Sequence, residues 1–194
     1  MNLPTKITVS RLVLIPVFIA LFLIPFPHHQ LIATAVFVVA SLTDWLDGHI
    51  ARKYNMVTTL GKFLDPVADK VLVASALILA TTLEVGIGDK IAIVVCSVII
   101  IARELIITCF RTIAATKNVI LAADKIGKAK TATQLTGLTF YLSFAEVGEL
   151  NATVGQVFFY IGFVCLMIAT ALTLISALNY IIRNRAVLKE DSEQ

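Results

Sequence analysis

Residues 91–110, "IAIVVCSVIIIARELIITCF", decide the fold class. Twelve uncharged residues precede Arg103 and Glu104, and six more follow them. A run of eighteen or more mostly apolar residues, at ~1.5 Å rise per residue, matches the ~30 Å hydrocarbon core of a bilayer. Outward from this run the same texture recurs, and the sequence predicts six spans at 11–27, 30–53, 60–84, 90–115, 128–147 and 152–182. Composition agrees. Of the 194 residues 58% are hydrophobic and 15% charged, and mean hydropathy is +0.91. A soluble domain carries about 45–50% apolar and about 25% charged residues. The expectation is an all-α, polytopic membrane protein forming one domain over 1–194. A short interfacial helix at 2–10 precedes the first span, and a polar tail at 183–194 follows the last. The first apolar run leads into "PFPHHQL" and five further spans rather than a small-residue cleavage site, which excludes a signal peptide.

Orientation follows from the cations. An even number of spans places both termini on one side of the membrane. Of the 16 Lys and Arg residues, 15 fall on or toward that side and only Lys90 falls opposite. Excess Lys and Arg mark the cytoplasmic side, so both termini are expected there, in a multi-pass protein of the cell (inner, cytoplasmic) membrane. The expected surroundings are membrane lipids, with no nucleic-acid partner. Cys96, Cys109 and Cys165 lie inside spans without paired spacing and read as apolar filler. His28 and His29 fall in the far-side loop and read as solvated or headgroup-facing.

The second informative stretch is 44–69, "DWLDGHIARKYNMVTTLGKFLDPVAD". On a helix, Asp44, Asp47, Gly48 and Ala51 share one face, and so do Gly61, Asp65 and Asp69 on the next. The two spans are antiparallel neighbours joined by a short loop, so both acidic faces lie near their cytoplasmic ends. Asp65 and Asp69 lie ~7 and ~13 Å in from that end. An ionised Asp at mid-span costs about 2.5–3.5 kcal/mol, and less near the interface. Four such groups also repel one another unless cations or water separate them. All-oxygen ligands without His or Cys point to Mg²⁺ or Mn²⁺ rather than Zn²⁺. Four carboxylates suffice for two divalent ions, a pairing that clamps phosphoryl groups during displacement. Individual aspartates could instead pair with Arg52, Lys62 or Lys70. Gly48 and Gly61 clear space beside the acids or serve helix packing, and Pro66 bends the third helix.

Asp44-x-x-Asp47-Gly48-x-x-Ala51-Arg52, eight residues, then Gly61-x-x-x-Asp65-x-x-x-Asp69 resembles the signature of the CDP-alcohol phosphatidyltransferases at every fixed position. The six-span layout resembles that family over nearly the whole chain. "NLPTKITVSRL", "ARELIITCFR" and "KIGKAKTATQ" are similar to its bacterial branch that uses glycerol 3-phosphate. The resemblance implies attack of an acceptor hydroxyl on the β-phosphorus of CDP-diacylglycerol, with CMP leaving. It implies that Asp44, Asp47 and Asp65 hold two metals, with Asp69 close to one and acting as general base. Gly48, Ala51, Arg52 and Gly61 match positions lining the nucleotide pocket. A homodimer is likewise implied.

For the acceptor, Arg103 and Arg111 stand eight residues apart, on roughly one helical face, at the cytoplasmic end of span four. Lys125, Lys128 and Lys130 open span five. Together they form a candidate phosphate pocket, although lysines at a span's inner end also anchor topology. This favours glycerol 3-phosphate over serine or a neutral polyol. Glu104 is either a partner of Arg103 or a supporting residue, and Arg11 is a weaker candidate for the same pocket. Relatives that use phosphatidylglycerol or inositol phosphate would share the aspartates and differ in this pocket. A cation-coupled transporter also keeps acids in membrane helices, but near the midplane and on repeated halves. Here they crowd one end of two helices.

Overall fold

The computed structural model describes residues 3–54, 59–116 and 125–183, with side chains described for 8–43, 64, 67–112, 114 and 126–182. Among these residues there are six α-helices and no strand: α1 Leu3–Leu23, α2 His29–Tyr54, α3 Thr59–Ala80, α4 Ile87–Thr116, α5 Lys125–Leu150 and α6 Ala152–Arg183. The helices coincide with the six predicted runs, with one instructive difference. The segment 2–10 is not set apart as its own helix, because α1 runs unbroken from Leu3 through Arg11. Thr8 and Arg11 are buried, so this part of α1 turns polar residues into the protein. The helix stops at Leu23 because Pro25 and Pro27 follow. The polar tail from residue 184 lies outside the described residues.

α5 and α6 form the most extensive contact, a hairpin closed by Asn151, whose Oδ1 accepts from the amides of Thr153 (3.1 Å) and Val154 (3.2 Å). That is an N-cap built from the one residue between two helices. Glycines let the two backbones touch. A Cβ on Gly155 would stand 2.3 Å from the Gly148 Cα, and one on Gly162 2.6 Å from the Tyr141 nitrogen. α3 packs on α1, α2, α4 and α5, while α5 also meets α2 and α6, so these two helices form the middle of the bundle. The core joins Phe18 and Phe22 of α1 to Phe37 of α2, Leu72 and Leu77 of α3, Ile93 and Ile100 of α4, and Tyr141 of α5.

The outside is as apolar as the inside. Val98 and Leu178 are 62% exposed, and Val13 61%. Two stretches, Ile87–Thr112 and Ala152–Ile182, are long and apolar enough to cross a membrane, and only 28% and 33% of their apolar windows are buried within the protein. A core helix of a soluble protein would be mostly buried. Outward apolar surface on this scale belongs against lipid or another protein. Of the cysteines, Cys96 is buried against Met167 (Sγ to Sδ 3.6 Å), Cys165 is partly buried and Cys109 is exposed.

At the end of the bundle away from the acidic signature, α2 is capped by another helix. Glu146 of α5, 5% exposed, accepts the amide hydrogens of Gln30 (Oε1, 2.9 Å) and Leu31 (Oε2, 3.0 Å). A carboxylate there satisfies two of the amides a helix start leaves open and complements its positive dipole end. His29 is therefore not a loop residue facing water. It opens α2, its Nδ1 lies 2.9 Å from the Phe22 carbonyl oxygen, and its Nε2 lies 3.6 Å from Glu146 Oε1. His28, with φ 61°, makes the left-handed turn that admits the helix. Glu146→Ala is expected to cost about 1–3 kcal/mol of stability, the range for orphaned buried donors. Thermal unfolding in detergent measures it.

Candidate active site

The four aspartates fall on the two helices that the spacing requires. Asp44 and Asp47 precede the end of α2 by ten and seven residues, and Asp65 and Asp69 follow the start of α3 by six and ten. The two pairs are thus at matched depth on helices that pack together. The side chains of Asp44, Asp47, Gly48, Ala51, Arg52, Gly61, Asp65 and Lys125 lie outside the described residues. Among the described residues no group of three or more His, Cys, Asp or Glu side chains forms a metal cluster. Asp69 is described, and it is half-buried.

Asp69 opens onto a cavity of about 60 Å³ between α3, α4 and α5. The walls are apolar, with Val73 and Leu77 from α3, Ile100 from α4 and Leu135 from α5. Into them are set Asp69 and Lys70 on one side and Glu104, Lys130 and Gln134 on the other. Lys130 is 4% exposed and Gln134 2%. A buried ammonium persists only with an anionic partner. Lys130 has one in Glu104, to whose Oε1 its Nζ donates at 2.5 Å, and Asp69 lines the same cavity. The same Glu104 oxygen accepts Arg103 Nη1 at 3.0 Å, and Arg103 Nη2 donates to Ser176 Oγ of α6 at 2.7 Å. One carboxylate oxygen and one guanidinium therefore tie α4, α5 and α6 together.

The structure divides the basic residues proposed for phosphate binding. Lys130 lines the cavity. Arg103 and Arg111 do share a helical face, but that face is packed on α6, where they meet Ser176 and Tyr180, four residues apart. Arg111 Nε donates to Tyr180 Oη at 3.3 Å and its guanidinium lies 5.6 Å from the ring centroid. Lys128 is exposed. Arg11 is wholly buried on α1. Glu104 is a partner of Arg103, one of the two roles the sequence offers it, and Lys130 is its closer partner. Gln134 has no part in the sequence reading. Gln134 stands one turn beyond Lys130 on the same face, a spacing that could have flagged it. Its Nε2 is buried with no hydrogen-bond partner among the described residues.

A helical bundle with two pairs of aspartates at matched positions on adjoining helices and polar side chains set in an apolar-walled cavity suits an enzyme that works on a charged group carried by a lipid. The chain belongs to the CDP-alcohol phosphatidyltransferase family, whose model matches residues 1–175. Among its relatives are proteins named CDP-diacylglycerol--glycerol-3-phosphate 3-phosphatidyltransferase. That of Bacillus subtilis (strain 168) is 36% identical, covering 97% of each chain. That of Shigella flexneri serotype 5b (strain 8401) is 37% identical over 96% of this chain and 97% of its own. That of Salmonella paratyphi A is 36% identical over 93% of each.

Proposed function

We propose that the protein transfers a phosphatidyl group from CDP-diacylglycerol to sn-glycerol 3-phosphate, giving phosphatidylglycerophosphate and CMP in phospholipid biosynthesis. The observation that carries this reading is the cavity in which Asp69 faces a buried lysine, on a chain similar along nearly its whole length to transferases named for those substrates. The donor set fits two divalent ions, Mg²⁺ or Mn²⁺. Its ligands are hard carboxylate oxygens, and the backbone carries two pairs of them at one depth on adjoining helices. Asp44, Asp47 and Asp65 would hold the ions, with Asp69 beside one. When bound, they neutralise the diphosphate and the charge that develops on departing CMP. Gly48, Ala51, Arg52 and Gly61 line the nucleotide's place.

The protein's own part is positioning and proton transfer. The Asp69 carboxylate takes the proton of the acceptor hydroxyl as that oxygen attacks the β-phosphorus. Lys130 receives the acceptor's phosphate from the cavity wall, with Lys125, Lys128, Arg103 and Arg111 supplying the surrounding positive field. The apolar walls keep bulk water from competing with the acceptor. Six helices cross the cytoplasmic membrane with both termini inside. The site then sits at headgroup depth, where a lipid keeps its chains in the bilayer and presents its nucleotide to water. The working form is a homodimer.

Purified protein given CDP-diacylglycerol, glycerol 3-phosphate and Mg²⁺ or Mn²⁺ is expected to release CMP, and a chelator to stop it. In an acceptor panel with inositol phosphate, serine and phosphatidylglycerol, glycerol 3-phosphate is expected to lead. A preference for any other acceptor overturns the assignment, and solute uptake by vesicles without CMP release overturns the enzyme.

A further inference from the structure

Glu104 belongs to no part of the aspartate signature, yet it binds two cations beside the cavity. Its Oε1 accepts Lys130 Nζ from α5 and Arg103 Nη1 from its own helix. Arg103 is braced from the far side by Ser176, so the guanidinium acts as a strut between α4 and α6. Lys130 is placed differently. An ammonium has three donor hydrogens, and one is spent on Glu104. The others lie at the wall of the cavity that Asp69 shares. Asp69 and Glu104 are the two carboxylates lining that cavity among the described residues, and Lys130 lines it with them. Which of them holds the ammonium decides where a phosphate is received and whether Asp69 can serve the acceptor hydroxyl.

We infer that Glu104 is a positioning residue for the transfer reaction: by anchoring the Lys130 ammonium on α4 it sets the seat of the acceptor's phosphate and keeps Lys130 from collapsing onto Asp69. This rests on the transferase reading above. Without the Glu104 charge, the remaining carboxylate in the cavity wall draws the lysine across the cavity, and the seat and the base are lost together. Arg103 cannot replace the anchor, since a guanidinium has no acceptor and repels the ammonium.

The test compares parent protein, Glu104→Gln, Lys130→Met and the double variant, in detergent with CDP-diacylglycerol and glycerol 3-phosphate. Glu104→Gln is expected to lower kcat/KM for glycerol 3-phosphate on the order of 100-fold, the loss expected when a buried lysine is left without its carboxylate partner. The KM for CDP-diacylglycerol should stay within about twofold, because that substrate does not depend on Lys130. The double variant should match Lys130→Met within about threefold, since Glu104 acts through the lysine. Parent-like kinetics in Glu104→Gln overturn the inference. So do losses that multiply in the double variant, or a Glu104→Gln protein whose thermal midpoint falls while its KM for both substrates rises, which would make Glu104 merely structural. If the parent itself releases no CMP with glycerol 3-phosphate, the functional reading fails instead.

Discussion

Asp69→Asn is expected to reduce CMP release by about 10²–10⁴-fold, the usual contribution of a general base, while CDP-diacylglycerol still binds. The substitution keeps the size and shape of a side chain that is half-buried on α3 and removes its ability to accept a proton. Nothing else described in the cavity can take over. Glu104 is held by Lys130 and Arg103, and the remaining described walls are cationic, amide, hydroxyl or apolar. Single-turnover CMP release set beside equilibrium nucleotide binding separates the two effects. Turnover near that of the parent would remove Asp69 from the chemistry.

The other large effect lies far from the aspartates, at the glycine seam of α5 and α6. Added to Gly162, a single methyl would press on the Tyr141 nitrogen and Cα at 2.6 and 2.8 Å, and on Gly155 it would meet the Gly148 Cα at 2.3 Å. These obstacles are backbone, which cannot rotate away. Small residues at such crossings let membrane helices approach closely. Overpacking by a methylene or more costs about 1–3 kcal/mol where the neighbours yield. Gly162→Ala is expected at the upper end of that range, and Gly155→Ala with Gly162→Ala should fail to give a folded protein. Gly88→Ala is the control, since a Cβ there meets nothing within 4 Å. Thermal midpoints in detergent decide it. A Gly162→Ala protein as stable as Gly88→Ala would show that the hairpin can open without loss. Because α5 carries Lys130 and α6 carries Ser176, the same lesion should reach the cavity.

The helices and the depth of the acidic residues were legible because both depend on periodicity along one chain. Apolar runs gave the elements, and i, i+3, i+4 spacing put Asp44 with Asp47 and Asp65 with Asp69. What a helix face meets is another matter. Arg103 and Arg111 were correctly placed on one face, but that the face abuts α6 depends on Ser176 and Tyr180, about seventy residues away. Glu104 could be read only against its neighbour Arg103, since its closer partner Lys130 is twenty-six positions on. Glu146 carries no local signal for its role. The amides it caps are more than a hundred residues earlier. Arg11 eluded the sequence for a related reason: hydropathy registers that a residue is polar and cannot tell that it is wholly buried.

The cap on α2 bears on how the molecule can move. Glu146 grips the first turn of that helix, while the aspartate pair is borne near its other extremity. A piston-like slide of α2 along its own axis would have to break both bonds to Glu146 at once. A sideways swing about that fixed root would leave them intact. Whatever rearrangement admits the bulky donor or ejects the spent nucleotide should therefore be a lateral tilt, greatest at the end that carries the aspartates and vanishing at the capped end.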